Sequence, residues 1–187
     1  NEFIWLIFLA LFPSTIINFT MGQFSIMSVF LMLLLARLHH HLPLWAKGVI
    51  IALLFAKPQL IIFSLPVFLY HLTLEKGFKT TLIQTAWIIA GVTASSLPLF
   101  FEGHHWASQL FANLRENSQW LQPNISSLFV QRFGFPPLFS VFLIMIGLGF
   151  SLYYSSRHNL YDSISVSLAI TPLLSPYIWS WDFVLLF

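Results

Sequence analysis

Charge is what this chain most conspicuously lacks. Eight Lys and Arg and six Asp and Glu make up 7% of its 187 residues, where a soluble domain carries about 25%. Hydrophobic residues reach 58%, and mean hydropathy is +0.83. So few charges cannot give a globule of this size a water-compatible surface. An ordinary soluble protein, a disordered chain and a nucleic-acid binder are thereby excluded, and the formal net charge of only +2 offers nucleic acid no basic surface. Cysteine is absent, which removes disulfides, thiolate metal sites and cysteine nucleophiles. No Walker-type loop, glycine-rich dinucleotide fingerprint, His/carboxylate metal spacing or Asp-X-Asp pair occurs, so no metal and no cofactor is expected. The solvent that remains is a bilayer. The chain begins at Asn1 rather than Met and stops at Phe187 within an apolar run. It reads as an internal piece of a longer membrane protein, one integral-membrane helical domain over 1–187.

Apolar residues are what is there in excess, in runs at about 3–12, 24–38, 44–56, 59–72, 80–101, 135–155 and 163–187. The runs are continuous rather than alternating, which predicts helices and argues against a barrel. Those at 80–101 and 135–155 are long enough to cross a hydrocarbon core of ~30 Å. The run 44–56 rises only roughly 20 Å as a helix. It reads as a short span or as half of a re-entrant hairpin closed at Lys57-Pro58. Pro66 and Pro176 interrupt their runs, either as simple kinks or in helices buried within a bundle. The expected fold is all-α, a polytopic transmembrane helical bundle. The only long polar segment, 102–133, interleaves Glu102, Arg115, Glu116 and Arg132 with Trp106, Phe111 and Trp120. It reads as an external loop with an interfacial helix, and as the seat of acceptor choice.

If each run from residue 24 onward crosses once, the connections alternate between two faces. Arg37–Lys47, Leu72–Lys79 and Ser156–Asp162 share one face and hold Arg37, Lys47, Lys76, Lys79 and Arg157, which marks it as cytoplasmic. The opposite, external face then gathers Asn18, Gln23, Lys57, Gln59, Ser175, Ser180 and Asp182. Lys57 and Asp182 stand out there, because an ionisable group beside a membrane span is costly unless paired or wetted.

Each motif has a plain reading beside its chemical one. Lys57-Pro58-Gln59 ends one run and opens the next. A Lys beside a helix N-terminus suits a phosphate, and equally a snorkelling interfacial residue. Ser175-Pro176-Tyr177-Ile178-Trp179-Ser180-Trp181-Asp182 suits either a sugar or an aromatic belt. Met21-Gly22-Gln23 opens a helix or is an ordinary turn. His39-His40-His41 and Gly103-His104-His105 read as solvated loops, since adjacent histidines diverge on a helix and no carboxylate lies nearby in the sequence.

Taken in order, Gly22-Gln23, Lys57-Pro58-Gln59 and Ser175 through Asp182, followed by Phe183-Val184-Leu185-Leu186, resemble glycosyltransferase family 87. These are polyprenol-phosphate-sugar-dependent membrane enzymes of the GT-C class, among them mannosyltransferases and arabinofuranosyltransferases. The resemblance implies transfer of a hexose or pentose from a polyprenyl-phosphate sugar donor to a glycolipid or glycan acceptor of the cell envelope. It places the protein among membrane lipids, in a bacterial inner membrane with the site facing outward. It implies donor-phosphate binding by Lys57, and donor or sugar contacts from Gln23, Gln59, Trp179, Ser180 and Asp182. The general base, an aspartate in the first external loop of the family, is expected upstream of this chain, so the piece alone is expected to be inactive. Some relatives have His where Trp181-Asp182 stands, so Asp182 is expected on a sugar hydroxyl or on Lys57 rather than on phosphate. The competing readings are a polytopic transporter or lipid-carrier flippase, which also uses broken helices, and a purely structural membrane subunit.

Overall fold

The computed structural model describes residues 25–101, 108, 112, 124–136 and 138–175. Every regular element among them is helical, as the continuous apolar runs predict. In chain order these are α1 (Ser25–Leu38), α2 (Leu44–Leu54), a 3-10 turn (Pro58–Leu60), α3 (Ser64–Lys76), α4 (Phe78–Phe101), α5 (Ile125–Ser127), a π-helical turn (Leu128–Arg132), α6 (Leu138–Ser155) and α7 (Leu160–Leu174). Of the polar segment 102–133, the described part is α5, the π-helical turn and isolated positions.

Local chemistry sets the boundaries. Gly77 adopts φ +83° between α3 and α4, a conformation that glycine reaches without a steric penalty. Asn159 caps α7: its Oδ1 accepts from the Asp162 backbone N–H at 2.9 Å, and its Nδ2 donates to the Asp162 carboxylate at 2.8 Å. That pairing satisfies an orphan N–H of the first turn. Pro66 does not break α3. It lies in the first turn, where its missing N–H has no helical acceptor to lose.

The centre of the bundle is apolar, with Met32, Leu35, Ile51, Leu54, Val67 and Ile164 fully buried, and α6 and α7 add small polar residues to it. α6 buries Leu143, Gly147, Ser151 and Ser155, a small and partly polar stripe at four-residue spacing. Its outward face shows Leu138, Val141, Phe142, Met145, Ile146, Phe150 and Tyr153. α7 buries Ser163, Ser167 and Thr171 completely. Their hydroxyls donate to the carbonyls of Asn159, Ser163 and Ser167, one turn back, at 2.7–2.8 Å. Self-satisfied small polar residues allow close helix approach without leaving an orphan donor. α7 accordingly packs against α1, α3, α5, α6 and the 3-10 turn.

One helix among the described residues, Leu138–Ser155, is both long and apolar enough to cross a membrane. α4, with 24 residues, has the length, but Lys79, Thr80, Thr81, Gln84 and Thr85 dilute its apolar character. The expectation of two full-length apolar crossings is therefore met by one. Shorter apolar helices are α1, α2 and α7.

α2 and α4 run parallel and very close. A Cβ on Gly48 would lie 2.7 Å from the Trp87 Cβ and 2.9 Å from its backbone carbon, and a Cβ on Gly91 would lie 2.7 Å from the Ala52 Cβ. Advancing one turn along both helices moves from the first contact to the second, so the register is parallel. The same register carries Lys57 to the level of Ser96, short of the end of α4. Gly48→Leu is expected to cost about 1–3 kcal/mol, because the neighbour is backbone and cannot move aside. Gly149→Ala, which meets nothing within 4 Å, is expected to be neutral or to stabilise by up to about 1 kcal/mol. Thermal unfolding in detergent compares the two.

Candidate functional site

The reversal between α2 and α3 presents Lys57. Leu54 accepts from the Lys57 N–H at 3.1 Å, the Lys57 carbonyl accepts from Leu60 at 3.0 Å, and that of Pro58 accepts from Ile61 at 3.2 Å. Pro58 occupies the first position of the 3-10 turn, where a proline loses nothing. The chain is held down by apolar anchors: Leu60, Ile61 and Phe63 are all essentially inaccessible. Lys57 and Gln59 between them stay half-buried.

The expectation of a Lys at the N-terminus of a long helix is corrected here. Lys57 precedes a three-residue turn, and α3 begins only at Ser64. The N–H groups of Leu60 and Ile61 close the turn on itself. A helix dipole therefore adds little at Lys57, and its own ammonium is what an anion would meet.

Two contacts draw the lysine reversal, the start of α1 and the end of α7 together. The Lys57 Nζ donates to the Ser25 Oγ at 3.1 Å. Ser25 is fully buried at the start of α1, two positions after Gln23. The second contact runs through Gly147 in α6. Its missing side chain leaves space occupied by the Phe63 ring and the Leu174 side chain, whose atoms would lie 2.7–2.8 Å from a Cβ there. Phe63 closes the reversal that bears Lys57, and Leu174 is the last residue before Ser175. The lysine turn, the start of α1 and the entry to the Ser175 motif thus share one end of the bundle. Ser64 and Ser175 are fully buried there, and their hydroxyls have no hydrogen-bond partner among the described residues. Buried polar atoms are rarely left so in a finished site.

Lys57 and Gln59 are placed by this geometry. Gln23, Trp179, Ser180 and Asp182 lie outside the described residues, as do Pro176 and Gly103-His104-His105. Ser25 and Ser64 escaped sequence reasoning, because a serine within an apolar run gives no signal of its neighbours.

The other end of the bundle corrects a second reading. His39-His40-His41 is not simply a solvated loop. His39 is buried, and its Nε2 lies 3.3 Å from the Glu75 Oε2, with the His40 Nδ1 at 3.8 Å from the same oxygen. The carboxylate that seemed missing comes from α3, far away in sequence. Arg37, His39, His40, His71, Glu75 and His158 line one open cavity of about 670 Å³. The three connections assigned to a single face by alternation do meet at one end.

One end of the helical bundle thus carries the half-buried lysine reversal, the buried Ser25, Ser64 and Ser175, and the end of α7. The match to the glycosyltransferase family 87 model runs over residues 2–176, and the chain belongs to that family. It is therefore a glycosyltransferase. No curated protein and no solved structure matches it. Gln23, Lys57 and Gln59 fall within the matched span, and Trp179, Ser180 and Asp182 fall beyond it.

Gly147→Leu is expected to push Phe63 and Leu174 apart and to lower transferase activity on the order of 100-fold, the usual effect of misplacing a site by about 1 Å. Gly149→Leu on the open side of the same helix is expected to retain activity. Equal activity in the two variants, in protein of equal yield, would remove Gly147 as the junction.

Proposed function

We propose that the protein transfers a hexose or pentose, of mannose or arabinofuranose type, from a polyprenyl-phosphate sugar to a glycolipid or glycan acceptor of the cell envelope. The observation behind this reading is the convergence at one end of the bundle of the Ser25-bound Lys57 ammonium with the entry to the Ser175 motif. Family membership favours a transferase over the carrier that broken helices would also suit.

In this reading the acceptor hydroxyl oxygen attacks the anomeric carbon. The bond from that carbon to the phosphate oxygen breaks, and polyprenyl phosphate leaves with the electron pair. Lys57 offsets the charge that develops on the departing phosphate, which is worth most where water is excluded. The Ser25 hydroxyl acts as a positioning group, holding the long lysine side chain at the reversal. Gln59 and Gln23 offer paired donors and acceptors for sugar hydroxyls. Trp179 supplies an aromatic face, and Ser180 and Asp182 hydrogen-bond the sugar. The hydroxyl proton goes to a general base, a role assigned to none of these residues.

The same reading makes the protein a multi-pass membrane enzyme of GT-C type, in a bacterial inner membrane with Lys57 on the outer side. The apolar outward face of α6 supports immersion in lipid. The opposite end supports the orientation: Arg37, Lys76, Lys79 and Arg157 are exposed there, beside the exposed aromatics Trp45, Tyr153 and Tyr161. That combination suits the cytoplasmic headgroup layer. α2 rises only about 16 Å over its length, so α2 and α3 are two short spans or a re-entrant pair.

Lys57→Ala is expected to lower turnover of a polyprenyl-phosphate sugar by about 100- to 1,000-fold, the range seen when one charge-stabilising group is removed. Asp182→Asn is expected to reduce turnover by weakening sugar contact. Unchanged turnover in both would sink the site assignment. For membrane placement, Met145→Lys on the outward face of α6 is expected to cost about 2.5–3.5 kcal/mol of insertion. A glycosylation-reporter assay reads this directly, and equal insertion of the variant would remove lipid from that face.

A further inference from the structure

His39, His40, His71 and Glu75 gather at the end of the bundle away from Lys57, around the open cavity. The His39 Nδ1 lies 2.7 Å from the Ala36 carbonyl oxygen. A carbonyl only accepts, so this nitrogen carries the ring proton. In the neutral ring, Nε2 is then a lone pair, and it faces the two Glu75 oxygens at 3.3 and 3.4 Å. A lone pair against a carboxylate is repulsive unless a cation lies between them, either a second ring proton or a metal ion.

Several features favour the metal. The His39 and His40 rings lie 3.7 Å apart between centres, and two imidazolium charges at that distance would repel. One shared divalent ion answers both rings and the carboxylate together. A tetrahedral ion with ligands at about 2.0–2.1 Å holds them roughly 3.3–3.4 Å apart. The Glu75 Oε2 lies 3.3 Å from the His39 Nε2 and 3.8 Å from the His40 Nδ1, so the His40 ring has to close in to share the ion. His71, one turn before Glu75 on the inward stripe of α3, lines the same cavity and is 8% exposed. Its Nε2 has no hydrogen-bond partner among the described residues, and both Glu75 and His39 act on it electrostatically. The backbone bond at the His39 Nδ1 is itself the outer-shell contact that aims a ligating histidine. Arg37, Lys47 and Lys76 are the cations nearby, yet the ion pairs of Glu75 among the described residues are with the two histidines.

We propose that His39, His40 and Glu75 bind a divalent transition-metal ion of the zinc class. Three protein ligands leave the fourth position of the tetrahedron to water. The ion ties the end of α1 to the end of α3, and it serves the scaffold rather than the transfer chemistry at the opposite end.

Tag-free protein in detergent, stripped with a chelator, is titrated with Zn²⁺ by calorimetry and with Co²⁺ by visible absorption. One ion per chain, tetrahedral Co²⁺ bands and a Zn²⁺-dependent rise in unfolding temperature are expected. His39→Ala and Glu75→Gln are each expected to weaken Zn²⁺ binding at least tenfold, and His41→Ala is expected to leave it unchanged. Absence of a one-to-one event, an octahedral Co²⁺ spectrum, or wild-type affinity in Glu75→Gln would overturn the proposal in favour of a protonated His39–Glu75 pair. The Co²⁺ spectrum is read on the unsubstituted chain, so a poorly folding variant does not blunt the test.

Discussion

Close approach between helices through small residues is the constraint on which the rest of this structure depends. In lipid, apolar side chains gain little by leaving their surroundings, so a bundle is held by close packing and by hydrogen bonds that are already satisfied. α7 meets both conditions. Ser163, Ser167 and Thr171 bond their own backbone and leave a slim surface for five neighbouring elements. Gly48, Gly91 and Gly147 do the same at single points, where a Cβ would collide with the facing helix or its side chains.

Those points of contact also set which segments share an end of the bundle. Gly147 leaves room for Phe63 and Leu174 beside α6, so the lysine reversal and Ser175 arrive at one end. The parallel register of α2 and α4 stops the reversal below the end of α4. There the half-buried Lys57 ammonium donates to the buried Ser25 hydroxyl.

The two ends of the bundle have divided duties. One holds Lys57 among buried serines and half-buried amides. The other gathers histidines, a carboxylate, exposed basic residues and aromatics. The histidine–glutamate cluster forms where the inward stripes of α1 and α3 run out. His39 continues the series Met32, Leu35 and Ala36, and Glu75 continues Val67, Phe68, His71 and Leu72. Side chains that point inward along a helix still point inward at its end, and there they become polar.

Much of this was legible from sequence. Low charge with continuous apolar runs predicted an all-helical chain, and the alternation of connections placed Arg37, Lys76 and Arg157 on one end and Lys57 with Ser175 on the other. Periodicity and composition are local properties, so they survive without knowledge of packing. The ordered motifs Gly22-Gln23, Lys57-Pro58-Gln59 and Ser175 through Asp182 pointed to the family, whose model matches residues 2–176. Tertiary structure decided the rest. It showed Pro66 to be a helix start, α6 to be the one long apolar helix among the described residues, and Lys57 to reach Ser25 from a short turn rather than a helix N-terminus. It also brought Glu75 to His39 across 36 positions, a pairing that no spacing rule contains. Distance along the chain says little about distance in space once helices pack side by side, and a site assembled from three helices exists only after they do.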